Sequence, residues 1–222
     1  NQDVIHIFRE NKSDNIIEIA KNYKSENISK IFCCLGNINL KSILSTSGED
    51  MVNDFKVVNV SFDSMDEIWS PVWGEESKIR NNYNEMFVEL EQEGSKRKVN
   101  IRFRLFDDSL GFRYEFPLQE NLGSFIIIDE KTEFAMAGDH TAMWIPGDYD
   151  TQEYNYTTSR LSEIKQKSIE FNEQNVSMYR FSDLGVQTAL MMKSDEGLYI
   201  NIHEAALIEY SAMHLKLNPS NM

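Results

Sequence analysis

A single glutamate within an apolar stretch is the residue of this sequence that most suggests chemistry. In "GLYINIHEAALIEY", residues 197–210, apolar and polar side chains alternate as in a half-buried strand, and apolar residues resume directly after Glu204. An ionised carboxylate among buried neighbours is costly unless it is paired or bound to a cation. The residues alone leave three interpretations open: pairing with an arginine such as Arg102 or Arg113, binding of a metal ion, or exposure at the end of a strand.

A second candidate is the aromatic stretch "WSPVWGEESKIRNNYNE", residues 69–85. It places tryptophan and tyrosine rings beside amides and carboxylates, the materials of sugar-binding sites, where a ring covers the apolar face of a pyranose and amides bind its hydroxyls. The same composition also fits a loop whose aromatic rings pack on the core. The pattern does not decide between the two.

A third candidate is the acidic stretch "GDHTAMWIPGDYDTQEYNY", residues 138–156. Four carboxylates lie close to Trp144 in the sequence: Asp139, Asp148, Asp150 and Glu153. Acidic clusters can bind calcium, but the spacing of an EF-hand loop is missing, and a charged, solvated loop is the more common explanation.

The sequence lacks the motifs of several enzyme classes. It has no G-x-S-x-G hydrolase motif and no glycine-rich phosphate loop, and its histidines do not form the H-x-x-x-H pair of zinc hydrolases. The two cysteines, Cys33 and Cys34, are adjacent, which predicts a small apolar pair rather than a metal site. No complete catalytic set is present.

Composition narrows the choice of partners. The chain has 222 residues, 41% of them apolar, which is enough for one domain with a substantial core. Its 36 acidic and 22 basic residues give a formal charge of −14, which would repel nucleic acid and anionic lipid. No apolar run reaches the roughly 20 residues of a membrane span, so we expect no membrane insertion.

Most of the chain shows the two-residue period of β-strands. Alternating apolar residues recur at Val58–Phe62, Met86–Leu90, Val99–Leu105 and Phe112–Phe116. The charged "EQEGSKRK" between the second and third of these predicts a hairpin loop. A helical pattern is found only at residues 13–24. These features predict antiparallel sheets in a sandwich or barrel.

Four stretches together resemble the N-terminal domain of glycoside hydrolase family 97. They are "WSPVWGEESKIRNNYNE", "RFRLFDDSLGFRYEFP", "TEFAMAGDHTAMWIPGDYDTQEYNY" and "YINIHEAALIEYS". The resemblance implies an all-β fold, a large antiparallel supersandwich like that of galactose mutarotase, over residues 35–216. Residues 1–34, with their short helical pattern, are atypical of the family, and residues 217–222 would begin a linker to a catalytic (β/α) barrel.

The resemblance also implies a function. The chain would be the N-terminal module of a bacterial α-glucosidase or α-galactosidase that acts on oligosaccharides in the periplasm or outside the cell. The family's H-E-A motif assigns Glu204 as a calcium ligand, and calcium would bind weakly without the barrel, since one carboxylate supplies few of its six to eight oxygens. Asn201 and His203 would lie at the substrate mouth. No catalytic residue is expected within this chain.

Two rival hypotheses come from other classes. The first is a stand-alone carbohydrate-binding protein without catalysis that uses Trp69, Trp73 and Trp144 as stacking platforms. The second is a structural domain that buttresses or dimerises a barrel through the apolar residues at 205–210.

Overall fold

The computed structural model describes residues 37–39, 44–46, 51, 54–170 and 185–218. The helix predicted at 13–24 and the pair Cys33–Cys34 lie outside these ranges. The described residues form two compact units, which divide between Phe134 and Ala135. The single domain over 35–216 stays a prediction. Within the described ranges, no helix is both long and apolar enough to cross a membrane.

Antiparallel strands dominate both units, so the predicted all-β class is confirmed. The first unit contains β1 (Asn37–Asn39), β2 (Leu44–Thr46), β3 (Phe55–Trp69), β4 (Ile79–Gln92), β5 (Lys98–Leu105), β6 (Leu110–Glu115) and β7 (Ile127–Glu130), and β8 (Glu133–Ala135) runs across the boundary between the units. The second contains β9 (Thr141–Trp144), β10 (Thr157–Arg160), α1 (Ile164–Glu170), β11 (Val186–Gln187), β12 (Leu190–Lys193), β13 (Tyr199–Ile202) and β14 (His214–Leu215).

The four-stranded sheet β3-β4-β5-β6 carries the core of the first unit. Alternate residues of its two central strands point to one face, as the two-residue period predicts. This dry face consists of Met86, Val88, Leu90, Val99, Ile101, Phe103 and Leu105, all buried. Phe112, Tyr114 and Phe116 pack against it, as the pattern of β6 predicts. The predicted loop between β4 and β5 is also present.

A β-bulge in β3 corrects one part of the predicted alternation. Val57 pairs with Leu90 and Asn59 with Glu89, so Val58 is an extra residue without a partner on β4. A bulge shifts the alternation by one residue. Val57 therefore packs on the core while Val58 is exposed, contrary to the prediction that Val58 lies on the dry face.

The opposite face of the same sheet carries a ladder of ion pairs across three strands. Arg102 on β5 donates to Glu115 on β6 at 2.7 Å and also to Glu85 on β4. Glu85 accepts from Arg104 at 2.8 Å, and Glu115 accepts from Arg113 at 2.7 Å. The bond from Arg102 is the largest influence on the carboxyl of Glu115 and, against the opposing effect of burial, keeps its pKa below the ordinary value.

The second unit is built on the sheet β10-β9-β12-β13 and on the two-stranded sheet β11-β14. The helix α1 was not predicted from the sequence. Its pattern is short, with buried residues at Ile164 and Ser168. A 3₁₀ turn, Leu161–Glu163, leads into it. This turn is held from a distance, because the carboxylate of Asp139 accepts from the amide and the hydroxyl of Ser162 at 2.9 and 2.8 Å. A local sequence pattern does not reveal this contact.

We expect Phe103→Ala to lower the free energy of unfolding by about 3–5 kcal/mol, because Phe103 is fully buried in the first unit and its removal leaves a cavity. Urea unfolding followed by circular dichroism would measure the change. The matched control is Ile128→Ala, at an exposed position of the same unit, which should change stability by less than about 0.5 kcal/mol. Equal effects of the two substitutions would contradict the described core.

Candidate functional site

Glu204 lies just beyond a strand that follows its predicted pattern. In β13, Ile200 and Ile202 are buried whereas Tyr199 and Asn201 are exposed. The strand ends at Ile202, and the side chain of Glu204 is half-buried. The glutamate is therefore placed where a regular sheet gives way to an irregular segment.

Both carboxylate oxygens of Glu204 accept a hydrogen bond from its own unit. The hydroxyl of Thr188 donates to Oε2 at 2.7 Å, and the backbone amide of Met213 donates to Oε1. No lysine or arginine within the described ranges forms an ion pair with it. Arg102 and Arg113 form their own ion pairs with Glu85 and Glu115 within the first unit.

The short sheet β11-β14 brings these two donors together. Val186 pairs with Leu215 and Gln187 with His214, so the next positions along the two strands are Thr188 and Met213. Glu204 thus accepts one hydrogen bond from the residue that follows β11 and one from the residue that precedes β14.

Gly185 permits the close approach of β11 to β14. It has φ +73°, a conformation that side chains disfavour, and a Cβ atom there would lie 2.0 Å from the carbonyl oxygen of Leu215. A larger residue at position 185 would push the two strands apart, and with them the donors to Glu204.

The hydrogen bonds decide the ionisation of Glu204. Burial is the largest influence and acts to raise its pKa, but the bonds from the Met213 amide and the Thr188 hydroxyl, together with the nearby His203, outweigh it and hold the pKa below the ordinary value. The group is therefore an anion at neutral pH, as a cation ligand must be.

The acidic stretch at 138–156 is joined to the same ladder. The Nε2 atom of His214 donates to the carbonyl of Asp148 at 3.2 Å, and the rings of His214 and Tyr149 meet edge to face at 5.7 Å between centroids. Asp148 is only 3% exposed and accepts bonds from the Tyr154 hydroxyl and the Asp150 amide. Asp148 therefore supports β14, whereas the other three carboxylates of the stretch, Asp139, Asp150 and Glu153, are exposed, as in a charged, solvated loop.

Trp144 is not available to a ligand. It is 0% exposed, and its indole nitrogen donates to the hydroxyl of Ser159 at 3.0 Å. A stacking platform needs an open ring face, so the predicted use of Trp144 for sugar binding is wrong.

Asn201 and His203 are both exposed beside Glu204. Asn201 projects from β13 opposite Met191, and the Nδ1 atom of His203 donates to the backbone carbonyl of Glu204 at 2.9 Å. Their side chains are free to meet a ligand from solvent, with His203 fixed in orientation by that bond.

A metal ion at Glu204 would find one carboxylate among the described residues, not a complete site. They contain no group of three or more histidine, cysteine, aspartate or glutamate side chains placed to hold a metal. A carboxylate offers about four acceptor positions, more than the bonds from Thr188 and Met213 use, so Glu204 could also bind a cation. Calcium needs six to eight oxygens, so a site that includes Glu204 must take most of its ligands from elsewhere.

Sequence reasoning missed the two donors, Thr188 and Met213. Their bonds depend on the pairing of two-residue strands that lie far apart in the chain. The available signal was weak: a glycine at 185, followed by a threonine between two short apolar runs.

We expect Thr188→Val to raise the pKa of Glu204, because the side chain loses a donor while its burial persists. A lowered pKa in the folded state stabilises the fold at pH values above the ordinary pKa of glutamate, and this contribution is lost as the pH falls through the folded-state pKa. The variant has less of this contribution, so it should lose less stability on acidification than the wild type. Carboxyl-carbon NMR titration and acid unfolding would measure both effects. Thr158→Val, at an exposed position of β10, is the control and should leave both unchanged.

The family model described as "Glycosyl-hydrolase 97 N-terminal" matches residues 35–222. Two solved structures of a glycoside hydrolase family 97 enzyme from Pseudoalteromonas sp. strain K8 are similar to this chain. The acarbose complex has 29% identity and a TM-score of 0.66 over 80% of this chain. A variant in complex with panose has 28% identity and a TM-score of 0.67 over 84%.

A β-arabinopyranosidase shares the fold, with 19% identity and a TM-score of 0.64 over 81% of this chain. The match covers 25% of the chain of the acarbose-bound enzyme and 26% of the panose-bound variant, so this chain spans about a quarter of their length. The family match extends over most of the sequence and agrees with the antiparallel fold. The chain therefore belongs to the family of glycosyl-hydrolase 97 N-terminal domains.

Proposed function

We propose that this chain is the N-terminal module of an α-glycoside hydrolase of the α-glucosidase or α-galactosidase type, whose reaction takes place in a following (β/α) barrel. The family match over residues 35–222 carries the proposal. The acarbose and panose complexes of a family 97 enzyme support a glycan as the substrate. The proposed location of the parent enzyme is the periplasm or the cell exterior, where bacterial glycosidases of this kind meet oligosaccharides.

Glu204 serves in this proposal as one calcium ligand. A half-buried anion that forms no ion pair with a lysine or arginine, among the described residues, is suited to a divalent ion. Its two donors fix the carboxylate before the ion binds, so little side-chain freedom is lost on binding. The barrel supplies the remaining ligands, and calcium there would polarise and orient the substrate.

Asn201 and His203 border the substrate mouth in this proposal. Both are exposed next to Glu204, and amide and imidazole groups bind sugar hydroxyls. The segment that follows Glu204 leaves Leu207, Ile208 and Tyr210 exposed, an apolar surface that a barrel could cover. One short region would then provide a metal ligand, two polar contacts and part of a domain interface.

The catalytic acid and the base or nucleophile lie outside this chain in the proposal. Glycoside hydrolysis requires two such carboxyl groups, and their separation sets the stereochemical outcome. We therefore expect the purified 222-residue chain to show no turnover of aryl α-glucosides or α-galactosides. Turnover that is lost on substitution of a residue within this chain would contradict the assignment.

In the full-length enzyme, we expect Glu204→Gln to weaken calcium binding, because a charged ligand is lost. Substitution of a residue that only hydrogen-bonds to a metal ligand typically lowers metal affinity by roughly 10–100-fold, and the loss of affinity here should be larger. Calorimetric titration with calcium and the calcium dependence of hydrolysis would measure it. Glu196→Gln, at an exposed glutamate of the same unit, is the matched control and should bind calcium normally. Normal calcium affinity in the Glu204 variant would refute the assigned role.

A further inference from the structure

The hairpin of β3 and β4 extends beyond the sheet to which it belongs. β4 pairs with β5 only from Asn84 to Glu91, whereas β3 continues to pair with β4 out to Trp69 and Ile79. Residues 65–83 therefore form a two-stranded ribbon with a loop at its end, which we call the aromatic arm. A two-stranded ribbon on its own is marginally stable in water, so such an arm benefits from a partner.

The end of the aromatic arm exposes several large apolar side chains. Val72 is 97% exposed and Trp73 is 87% exposed. Trp69 and Ile79 lie directly opposite each other at the last pair of the ribbon, and both are exposed, as is Ile68. Clustered exposed apolar side chains of this size are characteristic of interaction surfaces.

Polar groups along the two strands of the arm are engaged with each other. Arg80 donates two hydrogen bonds to the carboxylate of Asp66, at 2.8 and 2.7 Å, and the amide of Asn81 donates to Glu67 at 2.9 Å. A sugar platform would need such amides and carboxylates free for hydroxyls. The loop at the end of the ribbon exposes Val72 and Trp73 together with the charged Glu75, Glu76 and Lys78. Aromatic and apolar side chains with charged residues next to them are usual in protein interfaces, and the amides and carboxylates on the strands are already paired, which favours contact with protein over contact with sugar.

We propose that the aromatic arm docks on the catalytic part of the family 97 polypeptide, and this inference rests on the proposed function. This chain spans only about a quarter of the solved family 97 enzymes, so most of such a polypeptide is available as a partner. Contact with a second copy is disfavoured because each copy carries a formal charge of −14. The contact is distinct from the one proposed for the segment after Glu204.

Hydrogen exchange of the amides at 70–78 tests the docking. The full-length enzyme is compared with this 222-residue chain, both free of sugar. We expect exchange at 70–78 to be slower in the full-length enzyme by on the order of tenfold or more, at every protein concentration. Equal exchange would overturn the proposal. Protection that requires added malto-oligosaccharide would also overturn it in favour of a sugar platform, and protection of this chain that rises with its concentration would indicate self-association instead.

A pair of variants gives an independent measurement. Trp73→Ser should lower the melting temperature of the full-length enzyme and restore fast exchange at 70–78, while it leaves the melting temperature of this chain unchanged because the side chain is exposed there. Leu118→Ser, at a fully exposed position of the same unit, is the control and should change neither protein. Equal melting temperatures for Trp73→Ser and wild-type full-length enzyme would refute the docking.

The result separates the two proposals. Fast exchange at 70–78 in an enzyme that hydrolyses α-glycosides refutes the docking and leaves the proposed function intact. Slow exchange in a full-length protein without hydrolase activity refutes the proposed function, and with it the assignment of a catalytic partner to the arm.

Discussion

A carboxylate that loses part of its water must gain donors or a cation, and this requirement organises the second unit around Glu204. The group receives one bond from a side chain and one from the backbone, both at the end of the β11-β14 ladder. The ladder in turn depends on a glycine at position 185. Several elements far apart in sequence therefore have to be in place before one acidic side chain acquires a defined position and charge.

The first unit stabilises its partly buried carboxylates with arginine side chains instead. On the outer face of its four-stranded sheet, Arg102 shares its donors between two glutamates, and each glutamate also accepts from another arginine. The guanidinium of Arg102 also lies 4.5 Å from the centre of the Phe87 ring. Charges are balanced there within the unit, so this face has no need of an external ion, whereas Glu204 forms no ion pair with a lysine or arginine among the described side chains.

The sequence predicts the regular parts of the fold well, because the two-residue period reports directly which face of a strand is buried. The alternation in β4, β5 and β13 is read correctly from the residue types. The bulge at Val58 breaks this correspondence, since an extra residue inverts the alternation without changing composition. Helix α1 is missed because it is short and because the turn that leads into it is held by Asp139, which lies far away in the sequence.

The candidate site is predicted only in part, because its geometry also depends on contacts between residues far apart in the sequence. A carboxylate among apolar residues marks Glu204 as unusual, and the family resemblance gives it a role. Its donors depend on long-range pairing that a single sequence does not encode locally. The buried state of Trp144 likewise follows from tertiary packing, since its indole nitrogen is satisfied by Ser159 and its surface is covered.

The bulge also bears on how the chain can change in length among relatives. Val58 has no partner on β4, so removal of this one residue would leave Val57 and Asn59 opposite the same neighbours as before. Removal of a paired residue farther along β3 would instead shift the register by one and turn every later side chain to the other face. Shortened homologues should therefore have their gap at the bulge, with the outer end of the hairpin conserved in length.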